Sequence, residues 1–162
     1  MELTLPYFGK IQLQPDTIVN TEISFEGAAL RLDLNVESGK INPAEKLKLS
    51  EYLDELERII SLAADAIEQD YESGEVTRMY LEHHLEALAP EELETLLIEA
   101  DQSMAPELQL LSQLTVVRAG FYPENSQRFA VLDFSLPDNM TNYVLAVSIH
   151  DKRGIAGISM ES

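Results

Sequence analysis

The chain has 162 residues, 29 acidic and 11 basic, for a formal charge of -18, and it contains no cysteine, which excludes disulfides, thiol catalysis and thiolate metal sites. So negative a surface repels phosphate backbones and anionic headgroups, so neither nucleic acid nor membrane is expected as a partner. With 45% hydrophobic and 25% charged residues the composition is that of a globular protein, and the length suits one core, so a single domain over residues 1–162 is expected.

Met1-Glu2-Leu3-Thr4-Leu5-Pro6 lacks the basic leader and apolar run of a secretory signal, and no stretch approaches the roughly 20 apolar residues of a membrane span, so a cytoplasmic location is expected. Residues 1–40 read as strands. The first covers Tyr7 to Leu13, with Gly9 as a turn or bulge. Glu22 to Glu26 and Leu30 to Val36 alternate apolar and polar residues with a period of two, which places Leu30, Leu32, Leu34 and Val36 on a buried face. Gly27 between them predicts a hairpin that turns at Glu26-Gly27.

Residues 41–111 change to helical periodicity and hold 18 acidic against 4 basic side chains, so most of the negative charge lies here. Leu49, Leu53, Leu56, Ile60, Ala63, Ile67 and Tyr71 form one apolar stripe, predicting a long helix. Asn42 is placed to cap it, Pro43 suits its first position, Glu45 stands where a capping-box carboxylate would, and Gly74 supplies a stop. A second helix is expected from about Glu75 to Leu88, a third from Pro90 with Leu93, Leu96, Leu97 and Ala100 as its apolar side, and a short turn near Pro106. Glu51, Asp54, Glu55, Glu57, Glu68, Glu91, Glu92 and Glu94 fall away from these stripes and are expected in solvent.

Residues 112–162 return to strands at Leu114–Phe121, Gln127–Leu136, Asn142–His150 and Ile155–Met160, joined by short connections rich in turn formers. The expected fold class is therefore α+β, an antiparallel sheet built from N- and C-terminal strands with the central helices packed on one face.

No constellation for chemistry stands out. His83 and His84 are adjacent on a helix and diverge by about 100°, unlike a His-x-x-x-His pair, so a structural or solvated role is favoured over opportunistic metal binding with Glu82 and Glu86. His150, beside Asp151, reads as a turn-flanking polar residue. There is no nucleophile elbow, phosphate cradle or calcium loop, so no cofactor and no metal is expected. Tyr52, Tyr71, Met79 and Tyr80 read as helix–sheet packing residues, and Asp133 as part of an exposed strand face.

Pro6-Tyr7-Phe8-Gly9-Lys10-Ile11, Leu32-Asp33-Leu34, Val131-Leu132-Asp133-Phe134-Ser135-Leu136, Thr141 to Val147 and Ile158-Ser159-Met160-Glu161-Ser162 together resemble a catalogued family of small bacterial proteins of unknown function. The resemblance spans nearly the whole chain and implies a bacterial cytoplasmic α+β domain, with no catalytic residue to carry over. Some small acidic families of this general type are similar to immunity proteins. The leading expectation is a noncatalytic domain that binds a basic protein partner, as an immunity-like or regulatory inhibitor, through Glu51, Asp54 and Glu55. The alternatives are an enzyme or small-ligand protein with a pocket between sheet and helices, and a structural homo-oligomer subunit or homodimer paired through a sheet edge; the expected oligomeric state is monomer or homodimer.

Overall fold

A computed structural model describes all 162 residues. In chain order the elements are β1 (Glu2–Leu5), β2 (Gly9–Gln12), β3 (Thr17–Phe25), β4 (Ala28–Val36), α1 (Pro43–Asp54), α2 (Leu56–Ser73), α3 (Val76–Ala87), α4 (Pro90–Leu97), α5 (Pro106–Leu111), β5 (Thr115–Phe121), β6 (Ala130–Ser135), β7 (Val144–Ile149) and β8 (Ile155–Glu161). The protein is α+β, with helices packed against a sheet. None of the helices is long and apolar enough to cross a membrane.

Six strands form one sheet in the order β3-β4-β5-β6-β7-β8, leaving β3 and β8 as its edges. Phe25 lies opposite Ala28, so Glu26 and Gly27 make the two-residue turn, with φ of 50° and 82°, both in the left-handed range that a tight hairpin between twisted strands requires. The four C-terminal strands form a meander.

The sheet is mixed, where an antiparallel one was expected. β4 and β5 pair in parallel, with Arg31 opposite Arg118 and Leu34 opposite Phe121. The chain leaves β4, builds the whole helical block and re-enters beside β4; a connection that long can carry it across to the end where β4 began, which a hairpin cannot do. β1 and β2 also depart from expectation, forming a separate antiparallel pair rather than joining the sheet. Their alternate residues Leu3 and Leu5, with the following Leu13, are buried in the common core.

That core holds 32 buried residues. Leu30, Leu32, Leu34 and Val36 of β4 meet Ala119 and Phe121 of β5, Leu132 and Phe134 of β6, and Leu145, Val147 and Ile149 of β7 on one side of the sheet, and the stripe from Leu49 to Ile67 is buried against the same core. Burying a leucine, isoleucine or phenylalanine side chain contributes about 1.5–3 kcal/mol, so this interface dominates the stability of the fold.

The single long helix expected up to Gly74 is two helices, divided at Glu55 where φ is -108° and ψ 29°. No proline or glycine marks the break. It lets α1 approach the β7–β8 connection while α2 runs over β7 and β8. At the start of α1, Asn42 accepts from the Glu45 N–H at 2.7 Å, and the Glu45 carboxylate accepts from the Asn42 side-chain amide at 2.7 Å rather than from its backbone. Gly74 ends α2 with extended backbone; a Cβ there would overlap the Asp70 carboxylate, which caps α3 by accepting from the Thr77 N–H at 2.7 Å.

Two buried tyrosines fasten the helices to the sheet at the two ends of β7. Tyr52 of α1 donates to the His150 carbonyl at 2.7 Å and accepts from the Arg153 N–H at 3.0 Å, while Tyr80 of α3 donates to the Tyr143 carbonyl at 2.9 Å. Both fit the packing role expected of them, whereas Met79 is exposed and Tyr71 is half-buried beneath the Arg78 guanidinium.

Candidate functional site

Glu51, Asp54 and Glu55 do not form one uniform acidic face. Glu51 and Asp54 lie exposed in the last turn of α1. Glu55 sits half-buried at the helix break, where its carboxylate accepts from the Arg153 guanidinium and pairs with Arg58 at 3.3 Å. The Arg153 hydrogen bond holds its carboxyl below the ordinary range. Two of the three are thus free in solvent and the third is engaged inside the molecule.

The other helical carboxylates expected in solvent resemble the first two, whereas Glu45, Asp70 and Glu107 are half-buried and accept hydrogen bonds from Asn42, Thr77 and Tyr71. Glu57, Glu68, Glu91, Glu92 and Glu94 are exposed. Only five of the 29 acidic residues, Glu2, Asp33, Glu55, Asp133 and Asp151, take part in ion pairs. No basic residue occupies the last turn of α1, α2 or α4, where a cation would complement the helix dipole. The negative surface is therefore largely unneutralised; Glu45, Glu57, Glu91 and Glu92 stand in first turns, where the dipole favours them, while Glu51 and Asp54 stand in a last turn.

On the opposite side of the sheet from the core, the pleat and register align Asp33, Arg118, Gly120 and Asp133 across three strands. The Arg118 guanidinium donates to both oxygens of Asp33 at 2.7 and 2.8 Å, to Asp133 at 3.3 Å and to the Tyr122 hydroxyl at 2.7 Å. Asn35 adds a donor to Asp33 at 2.7 Å. Burial opposes the arginine's charge, but Asp33 and Tyr122 more than offset it and hold the group firmly protonated. Burial also pushes the Asp133 carboxyl above its ordinary value, and Arg118 only partly counters it. Asp133 is therefore a member of a closed ion network and not part of an exposed strand face.

Gly120 makes this network possible: a Cβ there would overlap the Arg118 guanidinium. The network borders a groove of about 620 Å3 whose lining includes Asp16, Asn35, Glu37, Tyr122 and Glu124 and no lysine or arginine. Burial works to raise the Glu124 pKa, but hydrogen bonds from Ser38 and Glu37 prevail and keep its carboxyl below the ordinary range.

His84 is the one buried histidine. Its Nδ1 donates to the Tyr80 carbonyl at 2.7 Å, which leaves Nε2 to accept from the Thr141 hydroxyl at 2.8 Å. Burial lowers its pKa below the ordinary 6.5, against the pull of the Tyr80 carbonyl. His83, exposed, lies edge-on to Tyr143 at 5.0 Å between ring centres. No three histidine, aspartate or glutamate side chains are grouped as metal ligands.

Between α2 and the sheet, two adjoining clefts of about 250 and 170 Å3 share Ala64, Leu114 and Phe134. Their ionisable lining groups are the exposed carboxylates of Glu26 and Glu68. A larger groove of about 720 Å3 lies between α3 and α4, lined by Leu85, Leu88, Leu93 and Leu97 and the exposed Ile98. On the apolar side of α4 only Leu96 is fully buried; Leu97 is half-buried and packs against the core, while Leu93 is half-buried without joining it. The Arg118 network could not be foreseen from spacing, since its members lie 85 and 15 residues apart. The groove left one trace in the sequence, the Leu96-Leu97-Ile98 run that overfills a one-sided helix.

Comparison of the chain with protein-family models, curated proteins and solved structures finds no match, so no residue role is carried over from a relative.

Proposed function

We propose that the protein is a noncatalytic binding domain for a basic protein partner, with an immunity-like or regulatory inhibitor as its most specific form. What supports this reading is the state of its carboxylates: 29 are present, five are paired with cations, and most of those of the helices stand in solvent. Glu51 and Asp54 occupy the C-terminal turn of α1, where negative charge is disfavoured by the helix dipole. Residues that work against local stability are characteristic of a surface kept for binding. A concentrated negative field accelerates encounter with a cationic partner and makes the complex sensitive to salt.

The test is to isolate the partner from the native host and measure its affinity for wild-type protein and for Glu51→Gln/Asp54→Asn across a range of ionic strength. The reading requires a partner with a basic surface, weakening as salt rises, and a loss of about three- to tenfold in the double variant. A partner whose affinity ignores both salt and these substitutions would refute this face. Glu55 is left intact, because removing it would also release Arg153.

A further inference from the structure

The geometry points to the α3–α4 groove as a docking site for a basic amphipathic helix of a protein partner. This rests on the reading that the partner is basic and adds where and in what form it binds.

The groove is open and apolar. α4 contributes Leu93 and Leu97, α3 contributes Leu85, and Ile98, 73% exposed, stands at its side. The far end is fixed: Gln102 donates to the carbonyls of Leu97 and Ala100 at 2.8 and 3.0 Å, and Gln109 donates to the Met104 carbonyl at 2.8 Å. The groove has a volume of about 720 Å3.

Charge selects the occupant. Glu86 and Glu94 line the groove and are exposed. From residue 79 to residue 117 the chain has eight acidic residues and no lysine or arginine. A nucleic acid or anionic lipid is repelled by that surface. A second copy of this chain is a poor occupant too, because it would bring its own -18 charge against these carboxylates. An apolar stripe flanked by lysine or arginine satisfies both the floor and the rim.

Backbone chemistry selects the form. The walls are helices, whose N–H and C=O groups are paired internally, so an extended segment laid between them would gain no main-chain hydrogen bonds from the protein. A helix brings its backbone already satisfied and inserts side chains at i, i+4 and i+7. Those anchors span about 10 Å, and the eight residues of α4 extend about 12 Å at 1.5 Å per residue.

The probe is a lysine–leucine peptide of about 14 residues with leucines at i, i+4, i+7 and i+11 and lysines elsewhere, titrated into the isotope-labelled full chain and followed by amide chemical shifts. Its counterpart, with every lysine replaced by glutamate, is titrated in parallel. The inference expects shifts centred on residues 85–98, a loss of about tenfold or more in Ile98→Glu, about two- to fivefold in Glu86→Gln/Glu94→Gln, and no binding by the acidic counterpart. Ile98→Glu adds negative charge while removing the apolar contact, so it separates groove docking from general attraction. Shifts confined to Glu51 and Asp54, with Ile98→Glu unchanged, would overturn the groove and leave the basic-partner reading standing. Equal binding of the acidic counterpart would overturn both. Absence of binding, or self-association of the free protein that Ile98→Glu abolishes, would overturn the basic-helix occupant.

Discussion

Arg118 holds its guanidinium between carboxylates from two different strands, and the tyrosine that follows β5 supplies a third acceptor. With 17% of its side chain exposed and 6% of that of Asp33, the pair is mostly desolvated, so removing one member leaves the other charge without compensation. Arg118→Met is expected to cost about 3–5 kcal/mol, read from denaturant unfolding, and Asp33→Leu in the same chain should recover part of that loss, Asp133 remaining without its cation. An equal loss in the single and double variants would show that packing, not charge, governs the site. His84 gives a prediction in pH. Its folded pKa lies below the ordinary 6.5, so the unfolded chain takes up the proton first as pH falls. Its contribution is complete above pH 6.5 and diminishes below it, with a slope of at most about 1.4 kcal/mol per pH unit. Unfolding of wild-type protein and His84→Gln between about pH 7.5 and pH 5.5 should show the gap between them narrowing with acid.

Among the elements, β7 receives the helical layer at both of its ends, through Tyr52 at His150 and Tyr80 at Tyr143. The two latches differ in how many hydrogen bonds they make. After Tyr52→Phe the His150 carbonyl and the Arg153 N–H keep each other at 2.9 Å, and after Tyr80→Phe the Tyr143 carbonyl keeps the Ser135 hydroxyl at 3.1 Å, so neither loss strands a backbone group. Tyr52→Phe removes two hydrogen bonds and Tyr80→Phe one, so the first is expected to cost about 1–3 kcal/mol and the second about half of that, measured as the shift in denaturation midpoint. The positions of these elements were legible in the sequence because they follow from local chemistry: Asn42-Pro43 starts α1, Pro90 and Pro106 start α4 and α5, and Glu26-Gly27 turns the hairpin. The break at Glu55 was not legible, because the apolar stripe continues unbroken through it from Leu53 to Leu56. What Glu55 meets at the break, Arg153, lies in a loop 98 residues away.

For the molecule as a whole, charge and stability oppose each other. Neutralising Glu51 and Asp54 relieves both self-repulsion and the clash with the α1 dipole, so Glu51→Gln/Asp54→Asn should melt slightly higher than wild type, by about 0.3–1 kcal/mol per residue, while binding its partner less well. A variant that melted lower would mean that these side chains make stabilising contacts. The amino-acid order by itself determined the fold class, the helical middle between two runs of strands, the faces those elements bury and the strongly negative helical layer, because each depends on periodicity, capping or composition within a few residues. Only the tertiary structure decided that β4 and β5 run parallel, that Glu55 turns inward to Arg153, that Arg118 closes an ion network with Asp33 and Asp133, and that α3 and α4 leave a groove between them. These depend on which distant segments meet, and a contact between residues 85 or 98 positions apart has no periodicity to announce it.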